Sequence, residues 1–374
     1  MQAAEQEIDY LGMLNPAQRL AAEFGERTDG RGFESGPLLV IAGAGTGKTM
    51  TLAHRVAHLV IEGVDPERIL LLTFTRRAAE EMTRRVENIV RGSAPDSTVL
   101  PPGGLPWAGT FHSVANRLLR RFAHNLGLDP GFSVLDRGVA ADMLDVVRHE
   151  LKLTRTSRRF PKKDTCLAIY SRCVNAQQPL ADVLDQVFPW CADWAEELAA
   201  LFRGYVDRKQ QSQSLDYDDL LLYWMHLVAE PEFAEEIGSW FDHILVDEYQ
   251  DTNILQARVL NALKPDGSGL TVVGDDAQSI YSFRSAEVEN ILGFPDQFTP
   301  TARVVTLEQN YRSTQAILDA ANCLIAESER QYRKDLFSEG RDGARPHHVT
   351  VEDGDAEAEY VVSSILANRE LGMQ

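Results

Sequence analysis

Residues 38–49 read LLVIAGAGTGKT. An apolar run stops abruptly at three glycines in alternate positions, followed by a lysine and a threonine. Few local structures accept that order. The run Leu38–Ala42 reads as a buried strand, and the glycines end it. A helix then starts near Lys48. Glycines 43, 45 and 47 carry no Cβ, so their backbone N–H groups can face an anion at close range. A helix N-terminus favours the same ligand. In a phosphate loop the lysine reaches the β and γ phosphates and the hydroxyl holds Mg2+. Lys48 and Thr49 stand at those positions. The strict pattern Gly-x-x-x-x-Gly-Lys-Ser/Thr is missed by one residue, because Ala42 occupies the first glycine position, and a small residue fits there.

Four more segments read as buried strands: Ile69–Thr73, Ile244–Asp247, Leu270–Val273 and Val304–Leu307. Continuous apolar runs of this length belong to a parallel sheet covered on both faces. Helical stripes follow the first two. One is Leu52, Val56, Leu59 and Val60, and the other is Ala79, Met82, Val86 and Ile89. Alternation of strand and helix implies a doubly wound α/β domain. A chain of 374 residues exceeds what one core usually fills. Residues 91–106 are rich in Pro, Gly and Ser and mark a departure from that domain. From about 110 to 235 the patterns are helical, with no convincing strand. The expected organisation is a nucleotide domain over 1–92 and 212–302, an inserted helical domain over 93–211, and a further unit over 303–374.

Five other motifs carry chemistry. HILVDEYQDTN (243–253) ends a strand in Asp247 and Glu248. Strand carboxyl ends line the ligand crevice of a parallel sheet, so Asp247 is placed to hold Mg2+ and Glu248 to polarise a water. LEQNYRST (307–314) carries Arg312, which fits either a capped surface turn or an arginine stabilising a transition state. In the same stretch, Tyr311 can stack on a base. LTFTRRAAEEM (72–82) places Phe74 after a strand, as core or as a platform for a base. GTFHSVANRLLRRF (109–122) holds a capping Thr110 or Ser113 and a lone histidine, His112, of a kind more often structural. GDDAQSIYSFRSA (274–286) crowds two carboxylates, a glutamine, two aromatics and an arginine into one loop.

Net charge is −19 and the isoelectric point about 4.9. That sum argues against nucleic acid as a partner, but binding depends on local patches. Residues 151–163 carry Lys152, Arg155, Arg158, Arg159, Lys162 and Lys163 with no acid, a solvated face or a phosphate-backbone contact. The cysteines, Cys166, Cys173, Cys191 and Cys323, form no CxxC pair, which disfavours zinc and redox motifs and fits a reducing cytoplasm. No apolar run is long enough to span a membrane, and the acidic N-terminus is unlike a signal peptide.

Taken in order, these motifs resemble the N-terminal part of superfamily 1A DNA helicases of the UvrD/Rep/PcrA type. The likeness runs from LNPAQRLAA (14–22) through the phosphate loop, LTFTRRAAEEM, GTFHS, LDYDDLL (215–221), VDEYQDT, GDDAQSIYSFRSA and LEQNYRST. It implies a RecA-like P-loop NTPase sheet with an inserted helical domain and a partial second RecA-like domain. It also implies ATP hydrolysis with Mg2+ and 3′ to 5′ movement on single-stranded DNA, at a junction with duplex. The implied nucleotide site is Gln18, Ala42, Gly43, Ala44, Gly45, Thr46, Gly47, Lys48, Thr49, Tyr311 and Arg312. In it Gln18 reads adenine and Tyr311 stacks on it. Thr49 and Asp247 hold the metal, and Glu248 activates water with Lys48, Gln278, Arg312 and Arg284. Phe74, Arg76, Thr110, His112, Tyr281 and Phe283 lie along the DNA. The chain departs from the family at Phe283, where a tryptophan is usual, and at Met50, often an arginine. Arg76-Arg77 replaces an Asn-Lys pair. The family's second insertion and last motifs do not occur by residue 374, so the expectation is an N-terminal fragment with poor turnover of its own. Its parent is then a helicase or the helicase subunit of a helicase–nuclease.

Overall fold

The apolar runs come together as one sheet. A computed structural model describes residues 9–28, 32–93, 100–153, 159–282, 285–340 and 343–373. Six strands, all parallel, form the sheet: β1 (Leu38–Ala42), β2 (Ile69–Thr73), β3 (Trp107–Thr110), β4 (His243–Val246), β5 (Leu270–Gly274) and β6 (Arg303–Leu307). Their order is β6-β1-β5-β4-β2-β3. Every residue of β1, β2, β4 and β5 is buried. Alternate side chains enter two separate cores. Leu39, Ile41, Leu70, Leu72, Ile244 and Val246 pack toward the helices Phe111–Arg121, Tyr217–Ala229 and Ile254–Leu263. Leu38, Val40, Ile69, Leu71 and Leu245 face the helices Lys48–Ile61 and Arg76–Ser93. Each such side chain contributes roughly 1.5–3 kcal/mol on burial, and both faces draw on it.

Two strands depart from the expectation. β3 lies between the loop 91–106 and the helical stretch from about 110, where no strand was named, and it pairs with β2 from Leu70↔Trp107 to Thr73↔Thr110. Its sequence, WAGT, has one fully buried position, Gly109. It therefore carries no apolar run to announce it. β6, expected at the head of the following unit, is the other edge of the same sheet, in register with β1 from Arg303↔Leu38 to Leu307↔Ala42.

Between β3 and β4 the helices Arg137–Glu150, Lys163–Ala176, Leu180–Gln186 and Ala195–Gln211 enclose a core of their own around Leu144, Ile169, Leu198, Leu201 and Tyr205. The chain enters and leaves this helical body side by side, where Ser133–Val134 pairs with Ser214–Leu215. Lys209 closes that neck. Its buried ammonium lies 2.7 Å from Asp216 and 2.6 Å from Asp219. Of the basic run 151–163, Arg155 and Arg158 lie outside the described residues, and Lys163 pairs with Asp142. Among the described residues no helix is long and apolar enough to cross a membrane. All four cysteines are free.

Candidate nucleotide site and nucleic-acid face

The phosphate loop is built as its sequence requires. β1 ends at Ala42, and the helix Lys48–Ile61 begins directly after Gly47. Gly45 and Gly47 have φ of +82° and +83°, which side chains rarely adopt. A Cβ on Gly47 would lie 2.5 Å from Gln18 Nε2. The Thr46 hydroxyl donates to Gly43 O at 2.8 Å and closes the turn. Gln18 is buried against this loop. Its Nε2 donates to Thr46 O at 2.8 Å, and its Oε1 accepts from Asn15 N at 3.0 Å. Arg55 fixes the helix Pro16–Glu23 that carries Gln18. Its buried guanidinium donates to Phe24 O, Ala21 O, Thr271 Oγ1 and Ser35 Oγ. Burial lowers it to about 9.

The carboxylates stand across from the loop. Asp247 extends β4, its backbone N–H donating to Leu72 O at 2.9 Å. Its carboxyl is buried and pushed up to about 6 by burial, then by the charge of Glu248. Asp251 is raised to about 6 for the same reasons in the same order. Glu248 adopts a left-handed backbone, φ 53° and ψ 46°. That conformation costs a residue with a Cβ roughly 1–2 kcal/mol and is kept where the surroundings enforce it. Here they do so by pairing: the Lys48 ammonium meets Glu248 Oε2 directly, and Gln250 Nε2 donates to the same oxygen at 2.8 Å. Gln250 Oε1 then accepts from Asp275 N at 3.0 Å, tying the carboxylate loop to the end of β5. Gln250 comes so close that a Cβ on Gly274 would lie 2.5 Å from it.

Beyond Gly274 the turn is held just as firmly. Gln278 Nε2 donates to Asp275 Oδ2 at 2.7 Å. On the opposite side, the chain after β6 lies on the phosphate loop. Asn310 Nδ2 donates to Ala44 O at 2.5 Å and Tyr311 N to Gly45 O at 2.9 Å. Asn310 Oδ1 accepts the N–H groups of Arg312 and Ser313. Arg312 itself is exposed, and its guanidinium has no ion pair among the described residues. The Tyr311 hydroxyl donates to Gln309 Oε1 and accepts from Asn15 Nδ2, both at 3.0 Å. Gln250, Asn310 and Arg55 are functional neighbours that motif spacing did not single out. Asn310, inside LEQNYRST, and Gln250, inside HILVDEYQDTN, had a signal that could have found them, and Arg55 had none.

The second set of residues opens on a different face. Phe74 is 40% exposed just past β2, and its ring lies 5.2 Å from that of Tyr281 at 37°. Arg76 is exposed at the start of its helix and lines an open groove of about 510 Å³ with Thr83, Arg84, Gly109 and Ser113. Thr110 caps the helix Phe111–Arg121, its hydroxyl accepting from Ser113 N at 3.2 Å. The His112 ring meets Tyr217 edge-on at 5.7 Å, and burial holds its imidazole below the usual range. Phe283 and Arg284 lie outside the described residues.

A buried carboxylate facing a lysine and threonine on a glycine loop defines a phosphate-loop nucleotide site on a RecA-like sheet. The model of the UvrD/REP helicase N-terminal domain matches residues 26–299, and that of the UvrD-like helicase C-terminal domain matches 305–373. The chain belongs to the UvrD/Rep helicase family. It is 37% identical over 340 residues to the ATP-dependent DNA helicase PcrA of Leuconostoc citreum, and 36% over 340 residues to that of Staphylococcus epidermidis. It is 34% identical over 339 residues to that of Staphylococcus aureus. Each match covers 90% of this chain and 43–44% of the relative.

Proposed function

We propose that the chain binds and hydrolyses ATP and uses the cycle to move 3′ to 5′ along single-stranded DNA, as the motor portion of a helicase. The observation that carries the reading is the Lys48–Glu248 pair, with residues 310–312 lying on the same loop. Entering phosphates compete for the Lys48 ammonium and leave the Glu248 carboxylate free to take a proton from water. Gln278 and Arg312 answer to the γ-phosphate, and Gln18 and Tyr311 to the base. Arg284 is assigned a place between nucleotide and DNA by family resemblance alone. Thr49 and Asp247 would hold Mg2+. Both are hard oxygen donors, and a divalent cation is the counter-charge that buried Asp247 and half-buried Asp251 lack. Bound there, the ion offsets charge on the phosphates. Among the described residues no three metal-ligating side chains form a cage, and Mg2+ needs none, since it keeps waters and phosphate oxygens.

Phe74 and Tyr281 supply a stacking platform, supported by the exposure of Phe74 and their mutual contact. Base stacking of this kind contributes about 1–3 kcal/mol per base. Arg76, Thr110, His112 and Phe283 are assigned to the same path. The division into a nucleotide domain, a helical insertion near 93–211 and a unit from 303 belongs to this reading, with β3 and β6 counted to the nucleotide domain on their pairing. DNA-stimulated ATPase tests it. Lys48→Ala should reduce that rate at least 100-fold, on the order of a phosphate clamp's usual effect. An unchanged rate rejects the assignment, and tailed duplexes of opposite polarity test direction.

A further inference from the structure

The nucleotide site leaves one buried cation without a role. Lys334 lies on the strap of residues 332–337, and its side chain is 3% exposed. Its ammonium sits 2.9 Å from Asp275 Oδ1 and 2.7 Å from Asp276 Oδ1. The other oxygen of Asp275 accepts the Gln278 amide at 2.7 Å, and that of Asp276 accepts Tyr332 N at 3.1 Å. Every oxygen of the acid pair therefore has a donor. A buried ion pair of this kind adds little net stability over an apolar replacement, but it fixes geometry. The strap it fixes touches the phosphate loop. Leu336 lies so close that a Cβ on Gly43 would be 2.6 Å from its Cδ2. Phe337 is bonded on both sides to the chain after β6, donating to Glu308 O at 3.1 Å and accepting from Asn310 N at 2.7 Å.

We propose that Lys334 is a positioning residue for Gln278, and that through it the strap 332–337 responds to the presence of a γ-phosphate. The inference rests on the ATP-site reading above. An amide nitrogen carries two N–H groups. Asp275 takes one and thereby aims the other. Lys334 sets the plane of Asp275 from its opposite oxygen, so it acts without touching the nucleotide. When a γ-phosphate accepts the second N–H, the Gln278 amide is held at both ends, and Asp275 and the ammonium behind it are fixed with it. The strap, and Leu336 with it, then tightens over the loop.

The test is the affinity ratio of fluorescent ADP to a fluorescent non-hydrolysable ATP analogue, measured on the full chain with Mg2+. Gln278→Ala should reduce the preference for the triphosphate about tenfold, the worth of one hydrogen bond to a charged group. Lys334→Met should match that loss while leaving ADP affinity within about twofold, an allowance small against one hydrogen bond. The double variant should be no worse than Gln278→Ala alone. A Lys334→Met protein that keeps the original ratio overturns the proposal, as does a double variant whose loss is the product of the two. If Gln278→Ala itself leaves the ratio unchanged, the ATP-site reading fails and the proposal falls with it, a result distinct from failure of Lys334 alone. Should Lys334→Met not fold, hydrogen exchange on the unaltered chain decides. Residues 332–338 should exchange more slowly with the triphosphate analogue than with ADP, and equal exchange overturns the proposal.

Discussion

The nucleotide edge of the sheet and the face beside it are built on opposite plans, although one short segment serves both. From Gly274 to Asp276 the chain is buried, and Gln250, Lys334 and the Gln278 amide hold its polar groups. Two residues after Gln278, Ile280 is 71% exposed, and Tyr281 leans on an exposed Phe74. Charge stabilisation needs dipoles fixed in advance, because reorganising them costs energy at the moment of reaction. Stacking needs only a flat, accessible ring. On the proposed reading, the same backbone is rigid where it would face phosphate and open where it would face bases.

The sharpest way to break that contrast is Glu248→Gln. It keeps the shape and the Gln250 contact but removes the base, so ATP turnover should fall by about 10²–10⁴ while nucleotide affinity persists. Steady-state rates with a fluorescent nucleotide titration check this, and a loss under tenfold would remove Glu248 from the base role. Next comes the framework under the edge. His243 Nε2 donates to Phe33 O at 2.8 Å, and burial, then Arg55, hold its imidazole down to about 4. Above pH 6.5 the histidine is neutral folded or unfolded. Between 6.5 and 4 the unfolded chain takes up a proton that the folded chain refuses, so stability is lost as pH falls, by about 3 kcal/mol for this residue. Denaturant midpoints at pH 7 and pH 4 should converge for His243→Gln relative to the parent protein.

On the open face, Phe74→Ala should weaken single-stranded DNA binding by about 1–3 kcal/mol and leave nucleotide affinity alone. An anisotropy titration that shows no change would return Phe74 to packing. The smallest effect belongs to the rim. The exposed Arg330–Glu289 pair should be worth less than about 1 kcal/mol, and Arg330→Ala should barely move a melting curve.

What the sequence made legible follows this division. The phosphate loop, the paired carboxylates and four interior strands are local patterns, and each lies where its pattern placed it. β3 escaped notice because WAGT has the pairing of a strand without its apolar signature. Arg55 and Lys334 escaped for another reason. Each is one polar residue whose meaning comes from partners 20 to 216 positions away, and no periodicity encodes that. His112 reads the same either way, since its ring rests on Tyr217 at the edge of the proposed path.

The side-chain pair Asn253–Asn175 carries a consequence for mechanics. Asn253, a few residues beyond Glu248, caps the helix Ile254–Leu263 with its oxygen and donates its amide to Asn175 of the helical body at 2.8 Å. Asn175 also holds Asp218 at 2.7 Å, near the Lys209 neck. A displacement of the helical body would thus be felt at the Glu248 loop through this polar joint. Asn175→Ala would remove that joint at its contacts with both Asn253 and Asp218.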